Sequence, residues 1–349
     1  MQSTKKILAV KLRELGDTVL WTSALQALSE QFPGAQLHVL VLESSKPLLK
    51  HLAWIHEIHT IPSRSGFDIF KKLLKLSRED FDLVLGFHAT TSMCRFSFLF
   101  QGSERVFHHH SWHHTPRFST LPLEKPGFLQ DSLSRDYEIL KALGYRGEQK
   151  VARLSVTSLE KEAIVKKFPG VFERGEGQSL LALLPGASIA TKRYPKDLWL
   201  EMVQELQGFL GVKLLIVSDR ELSQKWALKE VGHSLGIPVL DSLSLRELCA
   251  ALSHCDFAIG NDSGPKHIAA ALGCQTLTFF GPSCFGDWHP YSLRRHPYLR
   301  EEIECRLSGP RDQKEFQFCT LVECSHLSCL RRISPKRPIE ILKREFNLE

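Results

Sequence analysis

Short apolar runs alternate with amphipathic segments along the first half of the chain. Contiguous apolar residues predict a buried strand, and apolar residues that recur every three or four positions predict a helix. The pattern predicts strands at Ile7–Val10, Leu37–Leu42, Ile58–Ile61, Leu83–Leu85, Val106–Phe107 and Leu154–Val156, and helices at 20–32, Phe67–Leu76 and Asp131–Leu143. Strands that alternate with helices indicate a parallel sheet with right-handed crossovers.

The same alternation starts again after the polar, glycine-rich segment Glu173–Gly177, which is typical of a linker. The second half predicts strands at Leu180–Leu184, Val212–Val217, Val239–Leu240, Phe257–Ile259 and Thr276–Phe280, and helices at Lys196–Phe209, Glu221–Leu235, Leu245–Leu252, 264–272 and Pro335–Phe346. We therefore expect an α/β protein with two Rossmann-like doubly wound domains, at 1–173 and 177–330, and a last helix within 335–349. The carboxyl ends of the two sheets would face a cleft, where ligands bind in such folds.

The stretch Asp256–Gly273 predicts a strand, a polar turn and a helix. Asn261, Asp262 and Ser263 are helix-capping residue types, and Pro265 suits a first helical turn. The unpaired amides and the positive dipole end of such a helix favour a phosphate. An ordinary capped turn is the alternative, because every α/β protein contains several of them.

A second turn, Leu15–Thr18, follows the first predicted strand and places Asp17 where a helix begins. Asp17 is either a helix cap without further function or a general base, which would take a proton from an attacking hydroxyl. The dipole at the start of the helix would keep the carboxylate ionised.

A third turn, Leu184–Pro195, follows the first strand of the second domain. Ala187 and Ser188 are small enough for backbone amides to approach a phosphate, and Lys192 supplies a positive charge. The alternative is a surface loop with a solvated Lys-Arg pair.

These three turns carry a resemblance to a known family. Lys11–Leu20, Leu184–Pro195 and Asn261–His267 resemble, in order and spacing, the motifs of the ADP-heptose:lipopolysaccharide heptosyltransferases, glycosyltransferase family 9. The resemblance covers most of the chain. It implies the two-domain architecture called GT-B, with the last helix packed on the N-terminal domain, which would bind the acceptor.

The resemblance also implies roles for particular residues. Asp17 would be the catalytic base of an inverting sugar transfer, and Lys192 would stabilise the leaving diphosphate. Asp262 would repel a phosphate, so it is expected to accept hydrogen bonds from sugar hydroxyls or from Lys192. The residues implied to hold the nucleotide sugar are Ala187, Ser188, Asp262, Ser263, Gly264, Pro265 and His267. His267 lies one helical turn past Ser263 and would face the same mouth, although a core or capping histidine is the alternative.

Recognition of the base and ribose rests on weaker matches. Leu243 lies in a segment that resembles the adenine side of the family site, with core packing as the alternative. The family usually has a glycine-rich turn and a glutamate after the strand that ends at Val217. Here the turn is Ser218–Glu221 without glycines, and Glu221 is our candidate for the ribose contact.

The implied reaction is metal-independent, with an ADP-sugar as donor and no other cofactor. The acceptor would be a lipid-linked saccharide, such as the lipopolysaccharide core, at the inner membrane, where Arg294, Arg295 and Arg300 would assist docking or remain a solvated face. The alternatives are a nucleotide-sugar epimerase of GT-B build, a transferase for another nucleotide-sugar, and a non-catalytic nucleotide-sugar-binding protein.

Two clusters fall outside these motifs. His108–His114 holds many histidines, which indicate an exposed loop or, less readily, a metal site. The resemblance implies that this loop lies on the acceptor side. Cys305, Cys319, Cys324 and Cys329, with His326 nearby, are either free thiols or a structural metal site.

Composition sets the outer bounds. The chain has 349 residues, of which 43% are hydrophobic and 24% charged, as in globular proteins. Its net charge of +6 fits an anionic substrate or an anionic membrane surface, and we find no nucleic-acid motif. The short apolar core of the N-terminus is atypical of a signal peptide, so we expect a cytoplasmic protein, with peripheral contact to the inner membrane.

Overall fold

The computed structural model describes residues 6–109, 115–123, 130–209, 211–305 and 318–346. The chain divides into two compact units, Met1–Ser155 and Val156–Glu349. Each unit contains one parallel β-sheet with helices on its faces. The predicted fold class, two Rossmann-like doubly wound α/β domains, is confirmed.

The first unit has a five-stranded sheet in the order β3-β2-β1-β4-β5. Its strands are β1 Lys6–Val10, β2 Gln36–Leu42, β3 Glu57–Ile61, β4 Leu83–Ala89 and β5 Glu104–His109. The helices are α1 Leu15–Gln31, α2 Lys46–Leu49, α3 Gly66–Leu76, α4 Thr91–Arg95, α5 Thr115–Phe118 and α6 Ser132–Ala142. Alternate apolar side chains of the strands fill two cores, one beneath α1 and α6 and one beneath α3 and α4.

The second unit has a six-stranded sheet in the order β11-β10-β9-β6-β7-β8. Its strands are β6 Ser179–Leu184, β7 Val212–Val217, β8 Val239–Leu240, β9 Phe257–Asn261, β10 Gln275–Phe280 and β11 Tyr298–Arg300. The helices are α7 Ser158–Lys167, α8 Lys196–Leu206, α9 Arg220–Trp226, α10 Leu228–Leu235, α11 Leu245–Leu252, α12 Gly264–Ala271, α13 Phe285–Trp288, α14 Ser328–Arg331 and α15 Lys336–Phe346.

The strand order of each sheet reverses direction at one point. In the first sheet the chain moves outward from β1 to β3 and then returns to the other side of β1 with β4. In the second sheet it moves from β6 to β8 and returns beside β6 with β9. Ligands of open α/β sheets bind at the carboxyl ends of the strands that flank such a switch point. The three turns identified in the sequence follow β1, β6 and β9, so they lie at the two switch points.

A glycine permits the close approach of β9 to β6. Gly260 pairs with Leu184 in the register of the two strands. A Cβ atom at Gly260 would lie 2.7 Å from the Cβ of Leu184 and 2.9 Å from its carbonyl oxygen. Any larger residue would therefore push apart the two strands that carry the second switch point.

The structure differs from the prediction in the boundary of the units. The first unit ends at Ser155. The predicted linker Glu173–Gly177 lies inside the second unit, because α7, which precedes it, packs against α11 of that unit. The last helix, α15, packs against α8 and adds Ile339 and Leu342 to the core of the second unit. The family resemblance had implied a position on the N-terminal domain.

Two predicted elements also differ from the structure. Leu154–Val156 has no regular secondary structure, since neither sheet pairs with it. The predicted helix Glu221–Leu235 is two helices, because Ala227 takes a left-handed conformation with φ of 52°. The short edge strand β11 was not predicted. Among the residues that the structure describes, no helix is long and apolar enough to cross a membrane.

Candidate active site

Asp17 lies in the first turn of α1, directly after the carboxyl end of β1. The N-cap position belongs to Glu14, so Asp17 does not have the position of a helix-capping residue. Only 7% of Asp17 is exposed, and among the described residues no donor reaches its buried Oδ1 atom. A buried carboxylate oxygen without a partner is costly and leaves Asp17 able to accept a hydrogen bond from a ligand.

The electrostatic surroundings of Asp17 differ from those expected at a helix N-terminus. Burial raises the pKa of Asp17 above its ordinary value, and the nearby Lys11, Arg13 and Arg135 only partly counteract it. The helix dipole, from which an ionised Asp17 was predicted, would shift the pKa in the opposite direction. A carboxylate with a raised pKa is a stronger base, which suits proton abstraction from a hydroxyl group.

The sequence did not identify the ion pair beside Asp17. Lys11 Nζ donates to Asp136 Oδ2 over 2.5 Å, and both side chains are almost fully buried. Burial raises the pKa of Asp136 to about 6, with Lys11 acting against it. Because Lys11 donates its hydrogen bond to Asp136, it acts on Asp17 through the longer-range electrostatic field of its charge. The sequence offered one indication of this pair, a lysine directly after the apolar strand β1 and an aspartate among the buried residues of α6.

His88 is another residue that the sequence did not identify. It lies at the carboxyl end of β4, where the pairing with β5 is irregular, and its φ of 48° is unusual for a residue with a side chain. The Nε of Arg13 donates to the carbonyl oxygen of His88 over 3.2 Å. Burial lowers the pKa of His88, helped by Arg13 and Arg135, so its imidazole is neutral at pH 7. A strained residue at a switch point is a functional-site candidate.

In the second unit, Lys192 and Lys266 form a cation cluster around Asp262, and His267 lies beside it. Lys192 Nζ donates to Asp262 Oδ2 over 3.1 Å, as the sequence argument anticipated. Lys266 Nζ lies 3.6 Å from the other carboxylate oxygen, and His267 Nε2 lies 3.9 Å from it. Lys192 comes from the short 3₁₀ turn Ala190–Lys192 after β6, whereas the others follow β9. The second switch point therefore brings the two predicted motifs of this unit together.

Lys266 is the residue of this cluster that the sequence did not identify. Its side chain is 1% exposed, and its Nζ donates to the carbonyl oxygen of Trp288 over 3.3 Å. A positive charge in the first turn of a helix is disfavoured by the helix dipole. The lysine in the first turn of α12 was therefore the one indication in the sequence that Lys266 has a special role. Burial lowers the pKa of Lys266 to about 8, although Asp262 acts against it.

Asp262 is held ionised by this cluster. Burial alone would raise its pKa, but Lys266, Lys192 and His267 outweigh burial and hold the pKa at about 2. The two lysines carry one positive charge more than Asp262 neutralises at pH 7. The cluster is therefore suited to an anion, and its electrostatic effect is strong because most of its atoms are buried.

Asn261 connects the two loops of the second switch point. Its Oδ1 accepts the backbone N–H of Tyr194 over 2.8 Å, and its Nδ2 donates to the carbonyl oxygen of Pro185 over 2.8 Å. Ser263 has the N-cap position of α12, yet it caps no amide, and its buried Oγ has no partner among the described residues. The first turn of α12 thus keeps the uncapped N-terminus that favours an anion.

His267 is buried inside the second unit, at 4% exposure. Its Nδ1 lies 2.6 Å from the hydroxyl oxygen of Tyr291. Burial lowers its pKa well below the ordinary value, so its imidazole is neutral at pH 7. His267 therefore contacts Tyr291 as a neutral group, and its predicted contact with the donor sugar nucleotide stays a prediction.

The remaining residues predicted to bind the donor sugar nucleotide lie in loops or in the first turns of helices that follow strands. Ala187, Gly264 and Pro265 are half-buried beside the cation cluster, and Ser188 is exposed. Leu243 is half-buried just before α11, and Glu221 is exposed in the first turn of α9. The structure contains no ligand, so the contacts predicted for these residues stay predictions.

The two unassigned clusters fare differently. Residues 110–114 of the histidine segment lie outside the described residues. The four late cysteines and His326 line one cavity, and no disulfide bond joins cysteines of the part of the chain that the structure describes. Among the described residues they do not bring three ligand atoms within 4.8 Å of one another, so the metal hypothesis for them stays a prediction.

Comparisons with known proteins agree with this geometry. A family model described as glycosyltransferase family 9 (heptosyltransferase) matches residues 70–312. Lipooligosaccharide heptosyltransferase 2 of Campylobacter jejuni is 22% identical over 335 residues, covering 94% of each chain. Lipopolysaccharide heptosyltransferase 3 of Escherichia coli is 23% identical over 350 residues, covering 93% of this chain and 98% of that protein.

Among solved structures, E. coli ADP-heptose lps heptosyltransferase II superimposes with a TM-score of 0.70 at 18% identity, covering 97% of each chain. That likeness confirms the GT-B fold that the resemblance implied. Since the family model matches more than half of the sequence, the chain belongs to glycosyltransferase family 9, the heptosyltransferase family, and is a glycosyltransferase.

Proposed function

We propose that the chain transfers a heptose, or a related sugar, from an ADP-sugar to a saccharide of the lipopolysaccharide core, with inversion at the anomeric carbon. The observation that carries the proposal is the cation cluster of Lys192 and Lys266 around Asp262 at the second switch point. Curated relatives that match over nearly the whole chain carry the name heptosyltransferase, which supports the choice of sugar.

The donor site of this proposal is the second switch point. The net positive charge of the cluster and the uncapped start of α12 would hold the diphosphate of the donor. Lys192 would contribute most to the rate, because its partly exposed side chain can move to stabilise the negative charge that develops on the leaving diphosphate. Ser263 Oγ, which has no partner among the described residues, would donate to the same oxygens.

The acceptor site of this proposal lies at the first switch point. Asp17 would take the proton of the attacking hydroxyl, and its raised pKa increases its strength as a base. Arg13 and Arg135 would orient an anionic acceptor near Asp17, and the neutral His88 would hydrogen-bond a sugar hydroxyl. Burial of Asp17 keeps bulk water from competing for its oxygen atoms.

The acceptor is expected to be lipid-linked, which would bring the enzyme to an anionic membrane surface. Arg294 and Arg295 are exposed, and the Nη2 of Arg295 donates to the carbonyl oxygen of Gly273 over 3.0 Å. They are the groups that would meet acidic headgroups. Peripheral contact with the inner membrane and a cytoplasmic location belong to this proposal.

A transferase for a different nucleotide-sugar is the second candidate, and the turn after β7 favours it. That turn, Ser218–Glu221, lacks the glycines of the family, and Asp219 caps α9 through the amide of Leu222. A Cβ at Gly186 would lie 3.5 Å from Asp219 Oδ2, so this carboxylate borders the loop after β6. An acidic group beside this loop would change which ribose or base the site recognises.

The test is a calorimetric titration of the whole protein with ADP, UDP and GDP, with and without Mg²⁺. The proposal predicts selective binding of ADP, unaffected by Mg²⁺, because lysines supply the positive charge that a metal ion supplies elsewhere. Strict preference for UDP or GDP would contradict the choice of an ADP-sugar and support the second candidate, a transferase for a different nucleotide-sugar. The absence of nucleotide binding would contradict both.

A further inference from the structure

Two histidines and two glutamates meet at the amino-terminal edge of the sheet of the first unit. His38 lies on β2, Glu57 and His59 lie on β3, and Glu79 lies between α3 and β4. One potential ligand atom from each of the four side chains lies within 4.8 Å of the other three. Asp17 follows the carboxyl end of β1, so this group and the proposed base are at opposite edges of the same sheet.

The strand register explains why these residues meet. His38 pairs with Glu57 across the parallel strands, and Leu40 pairs with His59. Residues two apart on a strand point to the same face, so Glu57 and His59 share the face of His38. The loop after α3 covers that face and brings Glu79 to it, while Phe81 closes one side against the ring of His38.

The distances are those of a coordination site. His38 Nδ1 lies 3.0 Å from His59 Nε2 and 3.5 Å from a carboxylate oxygen of Glu57. Four ligand atoms placed tetrahedrally at about 2.0–2.1 Å from a zinc ion are separated by about 3.3–3.4 Å. His59 Nδ1 faces the other oxygen of Glu57 over 3.5 Å, a contact of the kind that orients a metal-binding imidazole.

The chemistry of the four groups suits a transition metal. Both histidines are buried, at 2% and 6% exposure. Imidazole nitrogen atoms and carboxylate oxygen atoms are ligands that zinc takes in proteins. The side chains of Glu57 and Glu79 are 55% and 29% exposed, so an ion can enter from solvent and find its neutralising charge there.

Lys6 contributes a positive charge beside the four side chains through its ion pair with Glu79. Its Nζ donates to Glu79 Oε2 over 3.0 Å and to the backbone carbonyl oxygen of Glu79 over 3.1 Å. A hydrogen-bonded histidine pair with a Lys-Glu ion pair is the alternative account of the cluster. The two accounts differ in one respect: Lys6 competes with a metal ion for Glu79, whereas it stabilises a group that binds no metal.

We propose that His38, Glu57, His59 and Glu79 form a binding site for a divalent transition metal ion of the zinc type. The ion would join the edge strand β3 to β2 and to the loop before β4, so its role is structural. The site lies away from the switch point, and sugar transfer by Asp17 remains independent of a metal.

The test is a zinc titration of the whole protein, prepared without a histidine tag, in the wild type, Glu57→Gln and His59→Gln. Glu43→Gln is the matched control, since Glu43 is an exposed glutamate of the same unit. Wild type and control are expected to bind a zinc ion that both site variants bind at least tenfold more weakly, and zinc is expected to raise the melting temperature only where it binds. Equal zinc affinity in all four proteins would overturn the proposal.

Two further measurements separate this site from the cysteine cavity and from a histidine pair without metal. Co²⁺ bound at the Glu57-dependent site is expected to show visible absorption without a sulfur-to-cobalt charge-transfer band, because no thiolate belongs to the site. Such a band, lost in Glu57→Gln, would overturn the assignment. Lys6→Gln is expected to strengthen zinc binding by removing the competitor, and weaker binding in this variant would also contradict the proposal.

Discussion

The two switch points of this transferase each present one buried aspartate beside a helix N-terminus, and the two carboxylates have opposite electrostatics. Burial raises the pKa of Asp17 and leaves one of its oxygens without a partner among the described residues. Asp262 is as deeply buried, yet Lys266 and Lys192 hold its pKa at about 2. The same local motif therefore yields a carboxyl group with a raised pKa in one unit and a fixed anion in the other.

The difference lies in how each unit distributes its lysines. In the first unit, Lys11 is bound to Asp136, so Asp17 lacks a direct cationic partner among the described residues. In the second unit, both lysines contact Asp262 itself. A buried carboxylate with a close cation is stabilising as an ion, whereas one without is poised to take a proton.

The largest expected effect is on turnover by Asp17→Asn. The amide has the shape of the carboxylate but cannot take a proton, so the transfer rate is expected to fall by about 10²- to 10⁴-fold. Steady-state transfer assays at saturating donor measure it. Asp80→Asn, at an exposed position of the same unit whose φ of 47° asparagine tolerates, is the control that should keep wild-type turnover. Less than a tenfold loss would mean that Asp17 is not the base.

Lys192→Ala is expected to lower turnover by about 10²- to 10³-fold, the usual cost of removing one group that stabilises developing negative charge. The effect tests whether the cluster of the second unit serves the leaving group. Lys166→Ala makes the same change of charge at an exposed position of α7 and should leave turnover unchanged. Equal rates for both variants would place the diphosphate elsewhere.

Asp262→Asn is expected to reduce the free energy of unfolding by about 3–5 kcal/mol, because it leaves the buried Lys266 without its partner. Urea denaturation measures the loss, and adding Lys266→Met should recover part of it. The folded-state pKa of Asp262 is depressed below 3.8, so its contribution is fully present at pH 7 and disappears only as the pH falls through about 2. A loss below about 1 kcal/mol would contradict the pairing.

Asp17→Asn is expected to leave stability unchanged or to raise it by about 1 kcal/mol or less, the opposite of Asp262→Asn. The folded-state pKa of Asp17 is raised above 3.8, so ionisation costs stability as the pH rises through that pKa. The difference between variant and wild type should therefore disappear at pH values below it. Thermal denaturation at pH 4 and pH 7 measures the effect, and destabilisation at pH 7 would contradict it.

The sequence predicted most of the strands and the three turns that follow β1, β6 and β9, because buried strands are contiguous apolar runs and their turns carry small and polar residues. It did not predict the break at Ala227, since a left-handed alanine leaves no mark in a helical pattern. It also placed the last helix by family resemblance, whereas Ile339 and Leu342 pack into the core of the second unit. Local patterns identify a helix, but its packing partner depends on the whole fold.

The site residues divide in the same way. Asp17, Lys192 and Asp262 stood in recognisable motifs, and the contact between Lys192 and Asp262 is confirmed. Lys266 and Asp136 were not identified, because their importance comes from burial beside the charged partners Asp262 and Lys11, and burial is a property of the folded structure. Burial also decided the direction of the pKa of Asp17, which a motif and a helix dipole cannot supply.

The most direct test of the division between the two switch points is the affinity for ADP, measured by calorimetry on Asp17→Asn and Lys192→Ala side by side. The account predicts that Asp17→Asn binds ADP as tightly as the wild type, because the base acts on the acceptor. Lys192→Ala should bind at least tenfold more weakly, a loss of about 1.4 kcal/mol or more. If Asp17→Asn weakens ADP binding as much as Lys192→Ala does, the two switch points do not bind the acceptor and the donor separately.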